Sequence, residues 1–73
     1  MPLPMTSAQI AEDLTARIKS GEYRPGQQLP TYHTLSKLYS VSYATIARVI
    51  VLLRDRGVVV GIPGRGVFVP EQR

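Results

Sequence analysis

Seventy-three residues with 44% hydrophobic content and a formal charge of +4 allow one small domain with a single core. The chain has no cysteine, which excludes a disulfide scaffold, a thiolate zinc site and a cysteine nucleophile, and one histidine with five acidic residues leaves no metal cluster or acid–base pair to assemble, so neither an enzyme nor a cofactor is expected. No apolar run reaches the ~20 residues of a bilayer span and Met1-Pro2-Leu3-Pro4-Met5 does not read as a signal peptide, so the expectation is a soluble cytoplasmic protein with no membrane partner.

Thr6-Ser7-Ala8-Gln9 reads as a capping box that opens a first helix. Ile10, Leu14 and Ile18 recur at a spacing of four along one stripe, and Gly21 closes the helix. Pro25-Gly26 marks a type II turn. Gln27-Gln28-Leu29 is extended, because Leu29 precedes Pro30, and is suited to one rung of a small sheet. Thr31 caps a second, short helix with Leu35 and Leu38 as its core contacts, and Tyr39-Ser40-Val41 turns the chain. Ser42 caps a third helix whose stripe is Ile46, Val49, Ile50 and Leu53, closed by Gly57. Two short helices separated by a tight turn make a helix-turn-helix pattern.

Val49 to Leu53 is a run of five apolar residues and covers the whole circumference of the third helix. Val51 and Leu52 therefore point partly away from the core stripe. Either the first helix and the hairpin bury both, or at least one contributes to an apolar patch that meets a second copy or a further domain.

After Gly57 the period changes. Val58-Val59-Val60 reads as a strand, Gly61 to Gly66 as a Gly/Pro-rich loop with a cationic tip, and Val67-Phe68-Val69 as a second strand. Pro70 to Arg73 reads as a frayed tail. Three helices followed by a two-stranded β-hairpin define an α+β, mainly α, winged helix-turn-helix, a single domain over residues 1–73 with its core at about 7–69.

Charge follows the same division. Residues 1–30 carry three cations and three anions, whereas residues 31–66 carry Lys37, Arg48, Arg54, Arg56 and Arg65 against Asp55 alone, so the excess sits in one half of the chain. A segregated positive face suits a polyanion. Ser42 and Thr31 serve as N-caps, and the same helix N-termini can face a phosphate. Tyr43 and Thr45 flank the start of the third helix, off its core stripe. Ala44 is small enough to let the helix approach or to meet a thymine methyl, and Arg48 follows one turn on. His33 lacks companion ligands or a nucleophile and suits a phosphate contact. Arg65, between Gly64 and Gly66, has the reach of a wing-tip contact in a minor groove. Lys37, Arg54 and Arg56 read as flanking charges, the two arginines complementing a helix C-terminus.

The ordered series Ile10-Ala11, Gly21, Tyr23, Pro25-Gly26, Leu29-Pro30, Leu35, Tyr39, Val41-Ser42, Thr45-Ile46, Leu53, Gly57 and Gly64-Arg65-Gly66-Val67-Phe68-Val69 resembles the DNA-binding domain of GntR-type bacterial transcription regulators, the gluconate-repressor family. The resemblance runs from about Ser7 to Val69. It implies sequence-specific binding to double-stranded DNA, as a homodimer on a palindromic operator, by a nucleoid-associated repressor. It places the contacts at Thr31, Tyr32 and His33, at Ser42, Tyr43, Ala44 and Thr45 with neighbouring Arg48, and at Gly64, Arg65 and Gly66. The family pattern has an acidic–arginine pair where this chain has Tyr32-His33, and arginines where it has Tyr43 and Ala47. The larger C-terminal domain that senses an effector and dimerises in the family is absent from these residues, so a small-molecule effector is expected only with such a domain. The competing reading is a winged-helix protein–protein adaptor with weak DNA affinity.

Overall fold

Thr6 opens the first helix, α1 (Ser7–Lys19), in a computed structural model that describes residues 5–71. Met1–Pro4 and the end of the expected tail, Gln72 and Arg73, lie outside the described residues. The capping box is complete: the Gln9 amide donates to Thr6 Oγ1 at 3.2 Å, and the Thr6 amide donates to Gln9 Oε1 at 2.9 Å. Thr31 and Ser42 cap α2 (Tyr32–Tyr39) and α3 (Tyr43–Asp55) in the same way, each accepting at 3.1 Å from the amide three residues on. The axes of α2 and α3 differ in direction by 108°, a helix-turn-helix crossing. Among the described residues no single helix is long and apolar enough to cross a membrane.

All three helices end in one motif. After α1, Gly21 (φ +91°) and Glu22 donate to the carbonyls of Ile18 and Arg17; after α3, Gly57 (φ +74°) and Val58 donate to those of Arg54 and Leu53. After α2 the left-handed position falls on Ser40, at φ +56°, and Val41 donates to Ser36 at 3.0 Å. Only this turn uses a residue with a Cβ, which carries strain that glycine avoids.

The core is built from Ile10, Ala11 and Leu14 of α1, Leu35 of α2, and Ile46, Val49, Ile50 and Leu53 of α3, joined by Tyr23, Leu29, Val59 and Val69. α1 packs chiefly on α3. The expected core role of Leu38 is corrected: it is 52% exposed. Tyr32, Leu35, Ser36 and Tyr39 share the inward arc of α2, and Leu38 projects roughly 110° from the centre of that arc at 100° per residue.

The strands of the hairpin differ in extent from the expected 58–60 and 67–69. Strand β1 is Val60–Ile62 and β2 is Gly66–Phe68, paired antiparallel with Val60 opposite Phe68 and Ile62 opposite Gly66. Val58 does not belong to the strand, because its amide is committed to the end of α3. Gly61 and Ile62 extend β1 and Gly66 starts β2, which leaves Pro63, Gly64 and Arg65 as the turn. Val69 leaves the hairpin to exchange bonds with the preceding segment: Val69 donates to Gln27, Leu29 to Val67 and Gly26 to Val69, all at 2.8–2.9 Å. The expected rung is therefore present, with Gln28 bridged to Phe68 on the free edge of β2.

Candidate nucleic-acid interface

Three separate stretches of sequence meet beside the hairpin. The start of α2, the start of α3 and the turn between β1 and β2 border a cleft of about 520 Å³ to which Thr31, Tyr32, His33, Tyr43, Arg65 and Gly66 all contribute. Leu29, Pro30 and Val67 give it an apolar floor. Tyr32 is half-buried against the core, and its ring centroid lies 5.3 Å from that of Tyr43, with the planes tilted by 49°. The pair ties the first turns of the two helices together.

The other expected residues lie around this cleft. Ser42 is spent on its cap, where its hydroxyl also lies 3.0 Å from Thr45 Oγ1. Ala44 and Arg48 are exposed one turn apart on the outward side of α3. Arg48 borders a shallow apolar surface with Ser7, Ala47, Val51 and Leu52 rather than the cleft itself. Of the two residues left open by sequence, Val51 is 54% exposed, whereas Leu52 is half-buried against the core. His33 is exposed at the first turn of α2.

The wing tip is held from behind. Gln28 Nε2 donates to the Arg65 carbonyl at 2.8 Å, and the Arg65 amide donates to Ile62 O at 2.9 Å. Gly64 and Gly66 adopt φ of +75° and +122°, so the turn presents the Arg65 side chain at its apex. A second groove behind the tip, about 510 Å³, is bordered by Tyr32, Arg54 and the hairpin. The Arg54 guanidinium carbon would stand 3.3 Å from a Cβ placed on Gly61, so Arg54 lies along the wing.

Arg54 and Gln28 were not among the expected site residues. Alternation in the extended segment places Gln28 opposite the buried Leu29, and that was a readable signal. Arg54 depended on the bare backbone of Gly61 across the fold, which local sequence does not disclose.

Ion pairing is concentrated at one arginine. Arg17 donates to Asp13 at 2.9 Å and to Glu22 at 2.8 Å, and Asp13 also accepts from the Tyr39 hydroxyl at 2.6 Å. The hydroxyl first, and Arg17 second, hold the Asp13 carboxyl below its ordinary range; burial and the Asp13 contact push the Tyr39 hydroxyl upward. Among the described residues, Lys37, Arg48, Arg54, Arg56 and Arg65 make no ion pair. Lys19 and Arg24 make none either, so the asymmetry is one of count, an excess over residues 31–66 from which Arg54 and Arg65 border the wing while Arg56 lies beside Glu12 and Lys19 of α1. Among the described residues no group of three or more His, Cys, Asp or Glu side chains could hold a metal ion.

The sequence matches the family model for bacterial regulatory proteins of the gntR family over residues 6–69. It is 34% identical over 65 residues to the mannosyl-D-glycerate transport/metabolism system repressor MngR of Escherichia coli K12, a match that covers 89% of this chain and 27% of that protein. It is 31% identical over 72 residues to the transcriptional repressor NagR of Bacillus subtilis 168, covering 99% of this chain and 29% of that one. The chain therefore spans a little over a quarter of the length of these relatives. Among solved structures, the AraR DNA-binding domain in complex with operator ORE1 superposes with a TM-score of 0.82 at 32% identity, over 94% of this chain and 82% of that one. The possible regulator YydK of Bacillus subtilis superposes with a TM-score of 0.84 at 30% identity, over 94% of this chain and 31% of its own. The fold is the winged helix-turn-helix of these DNA-binding domains.

Proposed function

The chain belongs to the gntR family of bacterial regulatory proteins, and from that membership we propose that it is the operator-reading module of a transcription repressor, binding double-stranded DNA sequence-specifically. α3 enters the major groove with Tyr43, Ala44, Thr45 and Arg48 toward the bases. Thr31, Tyr32, His33 and Ser42 meet the flanking phosphates, and Gly64-Arg65-Gly66 reaches a minor groove or the adjacent backbone. The observation that carries this reading is the convergence of the two helix N-termini and the wing tip around one cleft, bordered by Arg65 and flanked by Arg54, neither of which makes an ion pair among the described residues. Two copies on a palindromic operator fit the reading. A small-molecule effector belongs to the reading only with a further C-terminal domain, and the relatives are a little over three times as long as these 73 residues. The protein acts on the bacterial nucleoid and catalyses no reaction.

The experiment is binding of the full chain to an arbitrary duplex as salt is varied. Four or five neutralised phosphates predict a loss of about 10²–10³ in affinity between about 50 and 200 mM salt, through counterion release. Flat or absent binding at low salt would instead favour a protein–protein adaptor.

A further inference from the structure

The first turn of α3 carries no cation. Its positions clear of the core are Tyr43, 60% exposed, then Ala44 and Thr45, with Ala47 half-open behind them. The first guanidinium on the helix is Arg48. Guanine presents two acceptors in the major groove and is read by Arg or Lys, and adenine is read by the amide of Asn or Gln. None of these side chains stands before Arg48 on this helix. The groups on offer are methyl, aromatic carbon and hydroxyl, and the major-groove feature that apolar groups complement is the C5 methyl of thymine. Tyr43 is also held in place: the Tyr32 ring, anchored against the core, lies 5.3 Å away and limits its sweep. A braced ring gives apolar contact with little ordering cost on binding.

Resting on the DNA reading of this same surface, we infer that the first turn of α3 selects A·T pairs through thymine methyl groups. Tyr43 and Ala44 are the methyl contacts, Tyr32 is the positioning residue, and guanine recognition by this helix begins only at Arg48.

The test starts by selecting bound sequences from a pool of duplexes with a randomised core, using the wild-type chain and Tyr43→Ala. Positions whose preference disappears with Tyr43→Ala are the ones the ring reads. The expected result is thymine at those positions, with deoxyuridine in its place weakening binding by about fourfold, the value of one buried methyl group. Tyr43→Phe should keep the discrimination of thymine over uracil. Tyr32→Ala should lower it, and Tyr32→Phe should restore it. Enrichment of G·C at the Tyr43-dependent positions overturns the inference, as does equal binding of uracil and thymine. A loss with Tyr43→Phe as large as with Tyr43→Ala overturns it too, because the hydroxyl would then be holding a phosphate. These results leave the DNA reading standing; failure to bind any duplex at low salt removes both.

Discussion

Gly66 is the residue on which the wing tip turns. At φ +122° its backbone lies where side chains are disfavoured, and an added Cβ would stand 2.7 Å from Gln28 Nε2. That amide is the one holding the Arg65 carbonyl. Gly66→Ala must therefore either displace Gln28 or move the turn, and in both cases Arg65 loses its aim. Arg65→Ala is expected to cost roughly 1–3 kcal/mol of DNA binding, with the melting temperature unchanged because the residue lies at a loop apex. Gly66→Ala should lose a comparable amount of binding and also about 1 kcal/mol of stability. Titration calorimetry beside a thermal melt separates the two effects. Full binding by Gly66→Ala would mean that the conformation of the tip does not direct the arginine.

At the scale of elements, the helices meet through a latch as well as through apolar packing. The Tyr39 hydroxyl of α2 reaches Asp13 of α1, and Arg17 grips the same carboxylate. Because the folded Asp13 has a depressed pKa, its contribution is present above about pH 4 and fades as the pH falls below that value. The raised pKa of Tyr39 has the opposite consequence, a contribution held below about pH 10 and lost in stronger alkali. Tyr39→Phe should cost about 1 kcal/mol at neutral pH, less than is usual for a charged acceptor because Asp13 is partly solvated. It should also flatten the acid limb of the melting temperature against pH; an unchanged limb would contradict the latch. The helix ends offer a simpler test. Ser40→Gly removes the one left-handed position among the described residues that bears a Cβ and should raise stability by about 0.5–1 kcal/mol in a denaturant melt. The caps, turns and stripes behind these features were legible because each depends on residues three or four apart. The Tyr39–Asp13 contact spans 26 residues, and no local pattern announces it.

For the whole molecule, one core supports both α3 and the segments that flank the hairpin. Leu53 of α3 is fully buried in that core, and Leu53→Ala should cost about 2–5 kcal/mol, much of what a domain this small possesses. Val51→Lys, on the exposed side of the same helix, should change stability by less than about 0.5 kcal/mol, whereas Leu52→Lys should destabilise. The ordering of helices and hairpin was readable from the change of period after Gly57. The strand limits were not, since the end of α3 consumes the Val58 amide and pairing begins at Val60. The candidate site was legible as three separate segments and as a charge imbalance. Their closure onto one cleft, through the Tyr32–Tyr43 pair and the Gln28 brace, required the three-dimensional arrangement.

Titrating the ¹⁵N-labelled chain with a short duplex while following amide shifts reads that closure residue by residue. The large perturbations should fall together on residues 31–33, 42–45, 48 and 64–66, with Gln28 and Arg54 responding beside the wing. The latch face of α1 around Asp13 and Arg17 should stay silent. Perturbations centred on that face, or on Leu38, with the wing tip unmoved, would contradict it.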